Sequence, residues 1–424
     1  MSGKQINRRE FVRASVAAGA SAALWSAPAI TQGTARVVVV GGGFAGATCA
    51  RRIKRLDPTL HVTLVETNPT FTACPFSNEV IAGLRELNAQ QFTYEKVVVD
   101  GVTLAAATAA VEPQARTVAL DGGQTVSYDR LVLAPGIDIH WDALPGYGEA
   151  AAQRMPHAWK AGGQTLLLRR QLEAMDDGGT VVMSAPANPF RCPPGPYERA
   201  SLIAYYLKTK KPKSKLIILD AKDAFSKQRL FQNAWKALYP NLEWVSLSSG
   251  GKVTSVDVGA MTLVTDFGRH KADVANVIPP QKAGQIAELA GVADRTGWCP
   301  IDPATFESKL QPNIHIIGDA SIAGAMPKSA FSANAQAKVC AAAVAKLLAG
   351  GKPDEPKLIN TCYSLVAPDY GVSIVGVYRP ADGQIKEVEG SAGVSPLDAP
   401  TSTRALEATF ANAWFNTITT EVFG

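Results

Sequence analysis

The sequence predicts an α/β fold in which two strand–loop–helix units of nucleotide-binding type are followed by a smaller C-terminal domain. Three observations carry that expectation. An unbroken β-branched run, Arg36-Val37-Val38-Val39-Val40, reads as a buried parallel strand; it feeds a glycine loop and a helix through about Leu56. A second run, Gly179-Thr180-Val181-Val182-Met183, opens a similar order, with a helix from about Tyr197 to Lys208 and a strand from Leu216 to Leu219. Later, the apolar strand Asn313 to Asp319 and an alanine-rich helix from about Ser329 to Leu348 precede Gly350-Gly351-Lys352-Pro353, which reads as a linker into a last segment. The length of 424 residues agrees, because it exceeds one ordinary core and suggests two or three domains.

Composition narrows the class. A hydrophobic content of 46%, a charged content of 19% and 36 Gly fit a globular chain and exclude disorder or a fibrous repeat. The net charge is +5, but Lys4, Arg8, Arg9 and Arg13 stand against Glu10 alone in the first thirty-five residues. The remainder is near neutral and gives no reason to expect nucleic acid. The 6 Cys include no Cys-x-x-Cys pair, which excludes a zinc ribbon, a thioredoxin-type motif and a c-type haem attached within this chain. No metal site is expected.

The first thirty residues read as an address. Asn7-Arg8-Arg9-Glu10-Phe11-Val12 precedes a soft apolar stretch over residues 14–25 and the small-x-small site Ala27-Pro28-Ala29, the pattern of a twin-arginine export signal. Ser15, Gly19, Ser21 and Ser26 make the stretch too polar for stable membrane insertion. The expectation is a bacterial periplasmic protein exported already folded, usually around a cofactor.

The first glycine loop is in a specific context. Gly41, Gly43 and Gly46 lie between a strand and a helix, and Glu66 ends the next strand about 20 residues later. The glycines serve a tight turn, close approach of backbone to a pyrophosphate, and close helix packing; the carboxylate serves ribose hydroxyls and disfavours a 2′-phosphate. The second unit lacks these parts. Residues 184–196 contain Pro186, Pro189, Pro193, Pro194 and Pro196, which remove N–H donors where a second pyrophosphate would need them. That loop reads as a scaffold presenting Cys192, and the electrons are expected from a source other than a nicotinamide. Cys49 and Cys340, on apolar helix faces, read as inert core thiols, and Cys299 has no derivable role.

Two further strings resemble those of two-dinucleotide-binding-domain flavoproteins of glutathione-reductase-like fold. Residues 128–136, ending at Gly136, resemble the strand and turn that close their FAD domain, and Gly318-Asp319 resembles the motif whose aspartate holds a ribityl hydroxyl. The following helix would aim its positive end at the flavin pyrimidine ring. These features divide the chain into a signal peptide (1–30), a discontinuous FAD domain (35–150 and 265–345), an inserted second unit (151–264) and a C-terminal domain (350–424).

Longer strings make the resemblance narrower. Phe71 to Val80, Pro156 to Gly162, Gly297-Trp298-Cys299-Pro300, Met326-Pro327-Lys328-Ser329, Asn360 to Ser364, Val377 to Pro380 and the end from Trp414 closely resemble the flavoprotein subunit of flavocytochrome c sulfide dehydrogenase. Related flavoproteins of thiosulfate-oxidising gene clusters belong to the same group. The resemblance implies that Cys74 is joined by a thioether to the flavin. It implies that Cys192 and Cys362 form a redox-active disulfide beside the flavin, that Glu198 is the base, and that Asn78, Lys328 and Trp414 belong to the flavin site. A haem-bearing partner, a mono- or dihaem c-type cytochrome, would complete a heterodimer; Tyr378, Trp414 and Phe415 would help shape the flavin pocket and docking face. The implied reaction is oxidation of hydrosulfide to zero-valent sulfur, with attack on either cysteine left open. The rivals are a sulfide:quinone oxidoreductase, which needs a membrane-binding C-terminus; an NAD(P)H-dependent flavin oxidoreductase; and a non-catalytic cytochrome-binding flavoprotein.

Overall fold

The computed structural model describes residues 34–424. The expected export signal lies outside the described residues. A five-stranded parallel sheet is ordered Ile314–Ile316, Arg130–Leu133, Arg36–Val40, His61–Val65, Thr103–Ala105. Its central strand is buried along the whole valine run, which is why that run does not alternate with polar residues. The helix Phe44–Leu56 packs on Ala330–Leu348, whose alanines let the axes approach, and Asn334 donates to Thr48 at 3.0 Å between them.

The second sheet is also parallel, ordered Leu242–Val245, Lys215–Asp220, Thr180–Ala185, Val274–Val277. Its last strand moves an expected boundary: the chain is still in the second unit at 277 and does not return to the first at 265. All four residues of Val274–Val277 are buried, so the run suits either sheet, and pairing with Thr180–Ala185 decides. The helix Gly195–Lys210 follows the proline-rich loop.

The C-terminal segment is an antiparallel hairpin, Leu358–Ala367 with Tyr370–Ala381, flanked by Gln384–Glu387 and covered by the helix Thr401–Phe423. The helix rests directly on backbone: a Cβ at Gly371 would lie 2.4 Å from the Ala408 nitrogen. Its far end is capped from the first unit, where Arg51 donates to the carbonyls of Glu421 (2.6 Å) and Val422 (2.9 Å). Phe423 stacks on Phe71 and Phe92 with centroids 5.1 and 5.3 Å away. Among the described residues, no helix is long and apolar enough to cross a membrane.

Candidate active site

A cavity of about 540 Å³ opens where the three parts meet. The glycine loop forms one end. Gly41 has φ +100°, and a Cβ there would stand 2.4 Å from the Ala134 carbonyl oxygen. A Cβ on Gly46 would fall 1.8 Å from the Gly41 oxygen, so Gly46 sits behind the wall and lets the helix close on the loop. Gly41 and Gly43 line the cavity with Glu66, Gly136 and Asp319. The Glu66 carboxylate accepts from the Gly42 N–H at 2.7 Å and the Asn68 N–H at 2.9 Å, which fixes its position and leaves lone pairs for hydroxyl groups.

Asp319 tests the fit of a cofactor. It lies in the turn after the strand Ile314–Ile316; burial raises its pKa, and Oδ1 has no hydrogen-bond partner among the described residues. A buried acceptor without a donor is costly, so the site suits a ligand that brings a hydroxyl. The helix Ala330–Leu348, capped by Ser329, begins on the same wall. Together with the glycine loop and Glu66, these residues fit an FAD.

Cys74 enters the cavity from the turn after Thr70–Thr72, its sulfur 3.8 Å from the Trp159 carbonyl oxygen. Four residues on, Asn78 donates to Glu198 Oε2 at 2.8 Å while its own oxygen accepts from Arg199 Nε at 3.0 Å. An arginine can only donate, so it orients the amide with its NH₂ toward the carboxylate. Arg199 itself is buried, donates to the carbonyls of His157 and Ala158, and lies over the Trp159 ring at 4.8 Å. The other Glu198 oxygen accepts from the Leu365 N–H at 2.8 Å. Burial raises the Glu198 pKa to about 7, against those hydrogen bonds and the charge of Lys227, which lower it; the neighbouring Cys362 adds to the rise.

Cys192 and Cys362, some 170 positions apart, line the same cavity as free thiols, near enough for each to shift the other's ionisation. Cys192 has φ 57°, and its N–H donates to the Lys328 carbonyl at 2.7 Å. Gly195 gives it room: a Cβ there would stand 3.1 Å from the Cys192 sulfur and 2.8 Å from the Trp159 ring. Cys362 lies on Leu358–Ala367, opposite Ile374. Its pKa is pushed down to about 6 by the hydrogen bond from Cys192 and then by Lys227, against burial. Cys192 is pushed up as that donor and by burial.

Trp414 reaches the cavity and stacks on Phe331 at 6.3 Å. Three expectations change. Lys328 does not face the cavity; its ammonium donates to the carbonyls of Asp319 (2.7 Å) and Ser321 (2.8 Å) and sits 3.9 Å over the Trp298 ring. It supports the Asp319 turn from behind. Phe415 and Tyr378 are buried off the cavity, so neither contributes a docking face. Cys299, Cys49 and Cys340 are fully buried, with burial raising the Cys299 thiol to about 12. Asp220, at the strand end where a second nucleotide's ribose carboxylate would stand, is buried and engaged by Tyr197 (2.6 Å), Lys222 (2.6 Å) and Trp244 (3.0 Å). Sequence reading missed Arg199 and Lys227; their only local signal was a basic residue beside a helix start.

Comparison with known proteins bears on these features. Residues 354–423 match the flavin-binding domain of flavocytochrome c sulphide dehydrogenase, and residues 165–279 match the central domain of the sulfide dehydrogenase (flavocytochrome c) flavoprotein chain. A stretch of 48 residues, 11% of this chain, is 60% identical to the flavoprotein chain of that enzyme from Chlorobaculum thiosulfatiphilum, covering 100% of that sequence. The chain belongs to the flavocytochrome c sulfide dehydrogenase flavoprotein family. Residues 35–164 match the pyridine nucleotide-disulphide oxidoreductase family, as expected of the first unit. The mitochondrial sulfide:quinone oxidoreductase of Mus musculus is 25% identical over 303 residues, 67% of this chain and 65% of the mouse protein. The solved sulfide:quinone oxidoreductase of Aquifex aeolicus shares the fold, with a TM-score of 0.72 at 16% identity over 92% of each chain.

Proposed function

We propose that this flavoprotein oxidises hydrosulfide to zero-valent sulfur through a Cys192–Cys362 disulfide and delivers the electrons to a c-type cytochrome subunit in the periplasm. The observation that carries this reading is that Cys192, Cys362 and Glu198 line one cavity together with Cys74 and the glycine loop.

Glu198, with a pKa near neutrality, takes the substrate proton at Oε1 or Oε2 and returns it to solvent. Asn78 and the Leu365 N–H hold that carboxylate in place in both protonation states. The cysteine pair accepts the nucleophile by thiol–disulfide exchange, which stores the substrate's sulfur as a persulfide. Bound FAD would supply a two-electron acceptor able to pass electrons on singly. Cys74 would hold it by a thioether, which suits an exported protein that cannot reload lost cofactor. The twin-arginine signal and the likeness to the flavocytochrome c flavoprotein chains support the location and the haem partner.

The test is sulfide added to the purified holoprotein with cytochrome c as acceptor. Flavin absorbance should bleach and haem reduction follow, while Cys362→Ser should keep FAD bound and lose turnover. Unchanged turnover in that variant overturns the reading, and preference for a quinone overturns the acceptor.

A further inference from the structure

Lys227 is buried, 7% exposed, and stands in the left-handed region at φ 63° just before the helix Gln228–Leu238. Its ammonium touches neutral acceptors: the Cys362 carbonyl at 2.9 Å, Ser364 Oγ at 2.8 Å and the Val372 carbonyl at 3.4 Å. Ser364 and Val372 are directly paired across the hairpin, so both strands hold the cation in place. A buried cation without a contacting carboxylate draws an anion toward it. The ionisable groups around Cys362 are Cys192 on the proline-rich loop, Glu198 on the next helix, Lys227, and Tyr378 on the paired strand. Lys227 is the cation among them, and it is fastened to the backbone of Cys362 and not to that of Cys192.

We propose that Lys227 is a positioning residue that makes Cys362 the thiolate of the opened pair, so that substrate sulfur is left on Cys192. The inference deepens the sulfide reading and rests on it. Hydrosulfide sulfur bonds to Cys192 Sγ as the Cys192–Cys362 bond breaks, and the electron pair of that bond leaves on Cys362 Sγ. The incoming negative charge becomes the thiolate's charge. The proton stays on the new persulfide until Glu198 takes it. Sulfide sulfur is oxidised and the disulfide is reduced by the same pair. A thiol that is the better-stabilised anion is the better leaving group, which favours this direction over attack at Cys362.

The experiment uses the full holoprotein reduced with a phosphine and alkylated with iodoacetamide across a pH series, each cysteine being read by peptide mass spectrometry. At neutral pH Cys362 should label about tenfold faster than Cys192, with a midpoint on the acid side of neutrality. Lys227→Met should move that midpoint up by about one pH unit, and Lys227→Arg should leave it in place. Faster labelling of Cys192, or an unmoved midpoint in Lys227→Met, overturns the proposal. If the Met variant does not fold, the wild-type order and the Arg variant decide. Sulfide is then added to the oxidised protein and the persulfide trapped and mapped. A persulfide on Cys192 supports the proposal, and one on Cys362 overturns it. No persulfide on either cysteine overturns the sulfide reading, while the labelling order still reports Lys227 separately.

Discussion

Glu198→Gln removes an ionisation that burial has moved into the neutral range. The carboxyl goes from an ordinary value of 4.5 to about 7 in the folded protein. At 1.36 kcal/mol per unit, the ionised form costs the folded state at most about 3 kcal/mol. The folded-state pKa of an acid is raised here, so the unfolded chain releases its proton first. The penalty is absent below the unfolded value, grows as pH rises through the interval, and is complete above about 7. Glutamine never ionises, so the variant's stability relative to wild type should climb by up to about 3 kcal/mol between acid and mildly alkaline pH. Urea unfolding followed by tryptophan fluorescence at both ends of that range measures the difference. Turnover should show the same group: kcat/KM for sulfide falls by about 10²–10³ in the variant at neutral pH. The wild-type to variant ratio should rise with pH to near 7 and then level, the substrate's own ionisation cancelling between the two. Parallel stability curves, or a ratio flat with pH, would refute the raised ionisation of the Glu198 carboxyl at this site.

Two further variants test the cofactor end. Cys74→Ser should bind FAD without a covalent link, so that urea or acid releases the flavin and the protein mass loses the flavin increment; flavin that stays attached would show that another residue makes the bond. Gly46→Ala would place a Cβ 1.8 Å from the Gly41 carbonyl oxygen, forcing the helix off the loop. A loss of about 1–3 kcal/mol in unfolding free energy and reduced flavin content are expected, and wild-type values for both would mean that the loop yields without cost.

Features that depend on neighbours along the chain could be read from residue order alone. The valine run 37–40, the glycine loop and Glu66 obey local rules of burial, backbone space and strand length, and all are found in their expected places. The prolines of residues 184–196 were legible for the same reason, since a missing N–H is a property of the residue. Cys192, Cys362 and Glu198 could be named by resemblance, but nothing in their spacing brings them together. Long-range packing brings them together, because the meeting depends on a C-terminal hairpin seated against the helix Gly195–Lys210. It also decided which strand closes the second sheet, how Lys328 turns to carbonyls behind the wall, and that Lys227 lies beside Cys362. Those are outcomes of competition among distant partners for buried donors and acceptors, and a linear pattern holds no record of which partner wins.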